Sequence, residues 1–545
     1  MVLILLALAC STGGDPARAP AATQPSAGVP VQPGGQGLGP APVGTGVFKQ
    51  LAPADQQRPR STAVCRGCDV YIISVCSLRK DYVGAYGRGI KTPNMDLISS
   101  GGVRFHRAYS ASNFTLAGLT AILTGRFAST TGVTGWDKGL TSMVPTIPEV
   151  LGHYGYVTGA FTTDAASGFR PEYGLDRGFQ YMAIDPPPSG TPDGRHRPGR
   201  YSPGATALPM ARWIVAQDES KPIFAMLHTR SAHYPFVGDD SGVEEDETGI
   251  TRMLWETGRK RERAPGQDAH RPGPGSAGGA AQQGVIPMAG PDPVHEHLRR
   301  VGAPALKVWK RRYAEAVERM DLDVGVVLKA IEKRGRADRS LIILVGDHGE
   351  SLNDHNETLH GDAFFDSVIN VPLLIKMPGV DRSSHSTALV SHVDVLPTIL
   401  QSIGAVQPAG IDGVSLLPLL TGKASQVRTM LLSEGGVARH DGDSLPGAVI
   451  APPWTLLKQR AGCGVGLAPI RPDGGMPLCL FNLQTDPQQL QNVADANPDV
   501  VSALLQHWSD FRAVAQSSSH AQLKLSDAFV EELRRNGYDF NKGVP

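Results

Sequence analysis

The stretch Leu341–Gly361, LIILVGDHGESLNDHNETLHG, constrains this chain more than any other. It opens with a short apolar run that has no helical period, the pattern of a strand buried on both faces of a parallel sheet. The run stops at Gly346. Asp347 and His348 then stand side by side, and His355 and His360 follow in a polar, asparagine-rich loop. Ligands of open α/β sheets gather at the carboxyl edge of the strands, and a carboxylate beside an imidazole there can hold a divalent cation. The plainer alternative makes Asp347 a turn cap and the histidines solvated loop residues. A lone Asp-His pair favours that alternative, because short motifs match by chance. Other strand ends change the balance.

The 545 residues carry 52 basic and 52 acidic side chains. A balanced charge gives no field that would draw nucleic acid or an anionic membrane surface, so any bound anion must be held by local groups. The length suits one large α/β domain with a smaller companion. Residues 1–10, MVLILLALAC, form an apolar run too short to span a bilayer. They read as the remnant of an export signal ending on Cys10, with Ala7-Leu8-Ala9-Cys10 an imperfect lipoprotein box. A lipid-anchored protein exported to a bacterial cell envelope is expected, with the membrane reached through that anchor alone. Residues 11–60, rich in Ala, Pro, Gly and Gln, read as a disordered linker. Cys65 and Cys68 are close enough to pair, as are Cys463 and Cys479 across a loop; an exported chain permits both bridges. The Cys65/Cys68 spacing would also suit half of a zinc site. Cys76 is left over.

The globular part, residues 61–425, opens with the strand VYIISV, which ends on Cys76. A helical run follows from Pro93. In TLAGLTAILTGR, Leu116, Leu119, Ile122 and Leu123 fall on one helical face. TIPEVLGHYGYVTGAFTTD reads as a helix and strand. PIFAML is another buried strand and ends on His228, with His233 just beyond. Residues 237–300 lose the pattern and read as an inserted surface loop. Helical periodicity returns in YAEAVERMDLDVGVVLKAIEKRG and leads into the central strand. VPLLIKMPG supplies a further strand and DVLPTILQSIGA a helix. Residues 426–545, with spaced short strands and the helical NPDVVSALLQHWSDFRAV, read as a small α+β domain.

If VYIISV, PIFAML and LIILVG lie in one parallel sheet, their ends bring Cys76, His228 with His233, and Asp347-His348 to a single edge. Such convergence is far less probable by chance than any one pair. Thr115 adds a hydroxyl at a helix amino terminus, where the dipole and unpaired N–H groups favour an anion or a hydroxyl losing its proton. By itself Thr115 reads as a cap; beside a metal it reads as a nucleophile.

The order of these segments resembles the sulfatase family of the alkaline phosphatase superfamily. VYIISVCSLRKDYVGAYG is similar to that family's first strand and metal loop, and TLAGLTAILTGR to its nucleophile helix. GLDRGF, HTRSAHYPF, ILVGDHGESLNDH, VPLLIKMPG, HVDVLPTIL, DGVSLLPLLTG and FNLQTDPQQLQNVA follow in family order, from about Asp69 to Trp508. The resemblance implies an alkaline-phosphatase-like α/β fold: a mixed, mostly parallel sheet sandwiched by helices, with a smaller C-terminal α+β domain. Three segments depart from the family pattern. The family's formylglycine-forming Cys or Ser, in C-x-P-x-R, is matched by Thr115, with Ala117 and Leu119 at the proline and arginine positions. Cys76 stands where the family places a metal-binding Asp. The lysine of a G-K-x-x-H stretch is missing. Threonine nucleophiles belong to related branches, and DHGESLNDHNETLHG resembles the phosphoethanolamine transferases, which implies that His233 and His360 contact the transferred group or a second cation.

The expected function is a metal-dependent hydrolase that cleaves a small-molecule, glycan or lipid sulfate or phosphate ester. Thr115 is its nucleophile, His233 or His360 its acid, and Cys76, Asp347, His348 and Thr115 its metal ligands. Zinc is favoured by the thiol and imidazole, with calcium, magnesium or manganese as the other choices. Two alternatives stand beside it: a catalytically silent binding protein on the same fold, and a phosphoryl-group transferase. The absence of long hydrophobic spans weighs against the transferase.

Overall fold

The computed structural model describes residues 64–514 apart from 88, 164–167, 186–203, 235, 237–296, 299, 381–382, 437–444 and 465–475, together with 521–522. The expected signal remnant, the linker and nearly all of the 237–300 insertion lie outside the described residues.

The main sheet follows from its apolar runs. β1 (Asp69–Val75) and β7 (Ser340–Gly346) are buried along their whole length, as is β6 (Ile223–Thr229). With β2 (Val103–Tyr109), β4 (Val157–Thr163), β5 (Tyr181–Asp185), β8 (Leu373–Lys376) and β9 (Ser384–Ser391), they form an eight-stranded sheet. Its order is β5-β4-β6-β1-β7-β8-β2-β9. A short β3 (Lys138–Gly139) pairs instead with Ala521–Gln522. The expectation of a mixed, mostly parallel sheet holds: β8 alone runs against its neighbours β7 and β2. β6, β1 and β7 are adjacent and parallel, with Ser74 level with His228 and Val75 level with Gly346. The ends of the three sequence-predicted strands therefore meet at one edge.

Alternation along the strands feeds two cores. Val70, Ile72, Leu341, Ile343 and Val345 pack on one face with helices α2 (Thr115–Thr124), α3 (Ile147–His153) and α6 (Val395–Ile403). Tyr71, Ile73, Ile342 and Leu344 pack on the other with α1 (Pro93–Ser100), α4 (Ala207–Ala216) and the 31-residue α5 (Ala303–Lys333). The α2 helix departs from the expected one-faced pattern, because all its residues are buried. It lies between the main sheet and the small domain and has no solvent face to make polar.

The small domain is an antiparallel meander, β10 (Leu431–Glu434), β11 (Gly447–Ala451), β12 (Trp454–Lys458) and β13 (Leu478–Asn482), covered by α7 (Pro498–Val514). Glu434 ties it to the rest, accepting from Trp508 Nε1 and from Ser129 Oγ. Both anticipated disulfides, Cys65–Cys68 and Cys463–Cys479, are formed, and Cys76 is free and buried. Among the described residues no helix is long and apolar enough to cross a membrane.

Candidate active site and metal centre

Directly after β1 the chain turns sharply at Ser77, a non-glycine residue with φ of 59°. That left-handed turn aims the Ser77 N–H at Asp347 Oδ1, 3.1 Å away, while Cys76 Sγ faces the edge of the sheet. The His348 N–H donates to the same Oδ1 at 2.7 Å. Asp347 Oδ2 is buried and has no hydrogen-bond partner. A bare buried carboxylate oxygen is costly, and native folds rarely leave one without cause.

From β2 the chain crosses the edge and enters α2, whose first residue is Thr115. The preceding residue, Phe114, occupies the cap position and no side chain caps the helix. Thr115 is thus not the cap that its type suggests. Its hydroxyl points inward, with Oγ1 3.3 Å from Cys76 Sγ and 3.2 Å from His348 Nε2. Cys76 Sγ and His348 Nε2 are 3.8 Å apart, and His348 Nε2 lies 3.7 Å from Asp347 Oδ2. Donors bonded to a tetrahedral zinc at about 2.0–2.3 Å are separated by about 3.3–3.8 Å. The spacings among Thr115, Cys76 and His348, and from His348 to the partnerless Asp347 oxygen, are close to that range.

Burial sets the protonation states. It raises the carboxyl of Asp347, but His348, His228 and two backbone N–H groups outweigh it and hold the group below the usual carboxylate range. His348 is pushed down to about 4, chiefly by burial and against the pull of Asp347. Its Nδ1–H donates to the Gly349 carbonyl at 2.8 Å, so the lone pair sits on Nε2, facing Thr115. Burial, with the Asp347 charge adding, pushes the Cys76 thiol well up, and a cation would reverse that.

The sulfatase family model matches residues 69–405, more than half of the chain. The chain belongs to the sulfatase family. Among its relatives is arylsulfatase K of Bos taurus, 29% identical over 244 residues, or 43% of this chain. The match spans 42% of that relative's length. A solved 2-O GAG sulfatase superposes with a TM-score of 0.60 at 17% identity, covering 83% of this chain and 93% of the other. The phosphonate monoester hydrolase of Agrobacterium radiobacter superposes with a TM-score of 0.58 at 20% identity, covering 85% and 98%. Likeness at such identity establishes the shared fold.

In this sulfatase fold the remaining expected residues extend the site outward as a row of imidazoles. The His360 ring lies 4.1 Å from that of His348, and His233 lies 5.1 Å from His360. The His233 Nδ1–H donates to the Tyr234 carbonyl at 2.8 Å. Burial pushes His360 down to about 4, against Asp347 and with the Arg230 charge adding. His233 is held well below its ordinary value by burial and then by Arg230. His355 is separate: it stacks on Phe365 and hydrogen-bonds the Gln488 carbonyl.

Four further residues shape the site and were given no role by the sequence. Arg230 donates to His233 Nε2 at 3.1 Å, and its charge reaches Cys76 and His360. Its position inside HTRSAHYPF was the available signal. Glu350, two residues past His348, is buried and meets His360 Nδ1 at 3.2 Å. His392, at the end of β9, donates through Nε2 to the Gly346 carbonyl at 2.9 Å, and Ser110 Oγ donates to the Asp347 carbonyl at 2.6 Å. These two fix the backbone of Gly346 and Asp347. His228, noted as a strand end, lies within 4.8 Å of ligand atoms of both Cys76 and Asp347.

Proposed function

We propose that this chain is a metal-dependent hydrolase of sulfate, phosphate or phosphonate esters that uses Thr115 as its nucleophile. One observation carries the reading: a buried hydroxyl at a helix amino terminus lies within 3.3 Å of both a thiol and an imidazole lone pair. Asp347, His348, Cys76 and Thr115 are the residues that would hold the cation, and the thiol and imidazole favour zinc. A divalent cation bound there would lower the pKa of the hydroxyl and offset charge growing on the equatorial oxygens.

Thr115 Oγ attacks sulfur or phosphorus in line, and the bond to the leaving oxygen breaks. Arg230 supplies the positive charge for the anionic group that the missing family lysine and arginine would otherwise give. An anionic ester beside His360 favours its imidazolium form despite the burial, and His360 then protonates the leaving oxygen. His233, whose proton sits on Nδ1 against the Tyr234 carbonyl and whose Nε2 accepts from Arg230, holds Arg230 in place. Water or an acceptor alcohol releases the threonine ester. The names of the relatives, an arylsulfatase, a GAG sulfatase and a phosphonate monoester hydrolase, support aryl or glycan sulfates and phosphonates as the substrate class. Two disulfides are in keeping with an oxidising, exported setting.

Turnover of an aryl sulfate, a phosphate diester or a phosphonate ester should fall at least about a thousandfold in Thr115→Ala, and should stop on treatment with a chelator. Full activity in Thr115→Ala would end the reading. Metal-free protein that is inert on every ester would leave the silent binding module.

A further inference from the structure

We propose that His228 is a resident metal ligand, so that with Cys76 and Asp347 it forms the floor of a zinc-class ion site beneath Thr115 and His348. The proposal rests on the metal-dependent reading above and adds to it a fifth donor and a selectivity. The three residues come from three adjacent parallel strands. His228 is level with Ser74 on β6, and Cys76 and Asp347 immediately follow the paired residues Val75 and Gly346. Their ligand atoms all lie within 4.8 Å of one another, and none of the three side chains is exposed. One sulfur, one nitrogen and one oxygen thus face a common point.

Two observations make this more than a crowded strand edge. Asp347 spends Oδ1 on two backbone N–H groups, which leaves the buried Oδ2 without a hydrogen-bond partner, 3.7 Å from His348 Nε2. On the other side, His228 Nδ1 lies 3.1 Å from Ser74 Oγ. A serine hydroxyl accepting from Nδ1–H leaves the lone pair on Nε2, the outer-shell arrangement that orients metal-binding histidines. A purely structural role for His228, bonded to Ser74 and packed 6.3 Å from Phe169, accounts for Nδ1 but not for the bare carboxylate oxygen. The donor set also sets the ion. A thiolate with two imidazoles suits zinc or cobalt and is a poor match for calcium or magnesium, which take oxygen. Zinc accepts a fifth ligand in catalytic sites.

Cobalt(II) reads this arrangement without any turnover. The full chain, stripped with a chelator and titrated with cobalt, should develop a sulfur-to-cobalt charge-transfer band that Cys76→Ser abolishes. Zinc should displace the cobalt, and calcium in large excess should not. His228→Gln should weaken cobalt binding by about tenfold or more and change the visible bands, while its circular dichroism stays that of the parent. Parent-like affinity and spectrum in His228→Gln, or displacement by calcium, would overturn the proposal. If His228→Gln does not fold, X-ray absorption of the zinc-loaded parent decides: two imidazole nitrogens beside one sulfur support it and one overturns it. The two readings fail separately. Loss of the cobalt signature alone leaves Thr115-dependent turnover standing, whereas a thiolate-bound cobalt in a protein inert on esters upholds the site and removes the hydrolase.

Discussion

A thiol and a carboxylate of similar size differ most in the cations they hold, and at Cys76 that difference falls on a residue 3.3 Å from the Thr115 hydroxyl. Cys76→Asp should therefore move the site from zinc toward calcium, magnesium or manganese. In the metal-free variant two buried carboxylates, at 76 and 347, would face each other. Like charges so placed raise one another's pKa and oppose folding, so the variant should gain thermal stability on addition of calcium while the parent does not. An unchanged preference for zinc would show that Cys76 is not a ligand. The meeting of Cys76, His228 and Asp347-His348 at one edge was legible in the sequence because each stands at the end of an apolar run, and an abrupt change from buried strand to polar side chain is visible one-dimensionally. Arg230, Glu350 and His392 were not legible. Their roles depend on which loops fold back over the edge, and no period or spacing encodes that.

At the scale of elements, α2 sets how closely Thr115 approaches Cys76 and His348. It is buried from Thr115 to Thr124, and a Cβ added at Gly118 would lie 2.8 Å from the Asp347 carbonyl oxygen. The helix must therefore pack against the end of β7 at glycine distance. Gly118→Ala should push the two apart, costing about 1–3 kcal/mol of stability. Turnover should fall by more than that loss explains, since small displacements of reacting groups cost rate steeply. Denaturant unfolding and kinetics on one preparation check both; a stable variant with parental turnover would show that the close approach is dispensable. Buried parallel strands and long amphipathic helices were readable from period and length, as β1, β6, β7 and α5 were. The reversal of β8 was not, because a four-residue apolar strand reads alike in both directions. β2 was not singled out as a strand either: its mixture of buried and partly exposed residues, VRFHRAY, gives no continuous apolar run.

For the molecule as a whole, gathering imidazoles at one buried edge links stability to pH. His392 gives the cleanest case, since it holds the Gly346 and Ser110 backbone region rather than an ion. Burial is the main cause that brings it down to about 4, against the opposing pull of Asp347 and the Gly346 carbonyl. In the unfolded chain its pKa returns to about 6.5. Between those values the unfolded state binds the proton that the folded state refuses, so stability falls as pH drops from about 6.5 toward about 4 and is insensitive to this group above that window. Full displacement of the group across the window corresponds to on the order of 3 kcal/mol. Buried acids work in the opposite sense: burial raises Asp394 and Glu434, so they favour the folded state as they take up protons. The parent's slope alone is therefore a sum of opposed contributions, and a difference between two proteins isolates the histidine. In His392→Gln a side-chain amide can still donate to the Gly346 carbonyl, but nothing titrates there. Urea unfolding of chelator-treated parent and variant, at about pH 7 and about pH 4.5, should show the parent losing more stability than the variant. Parallel losses would mean that His392 is charged in the fold, and that the sheet edge at Gly346 is wetter than its burial implies.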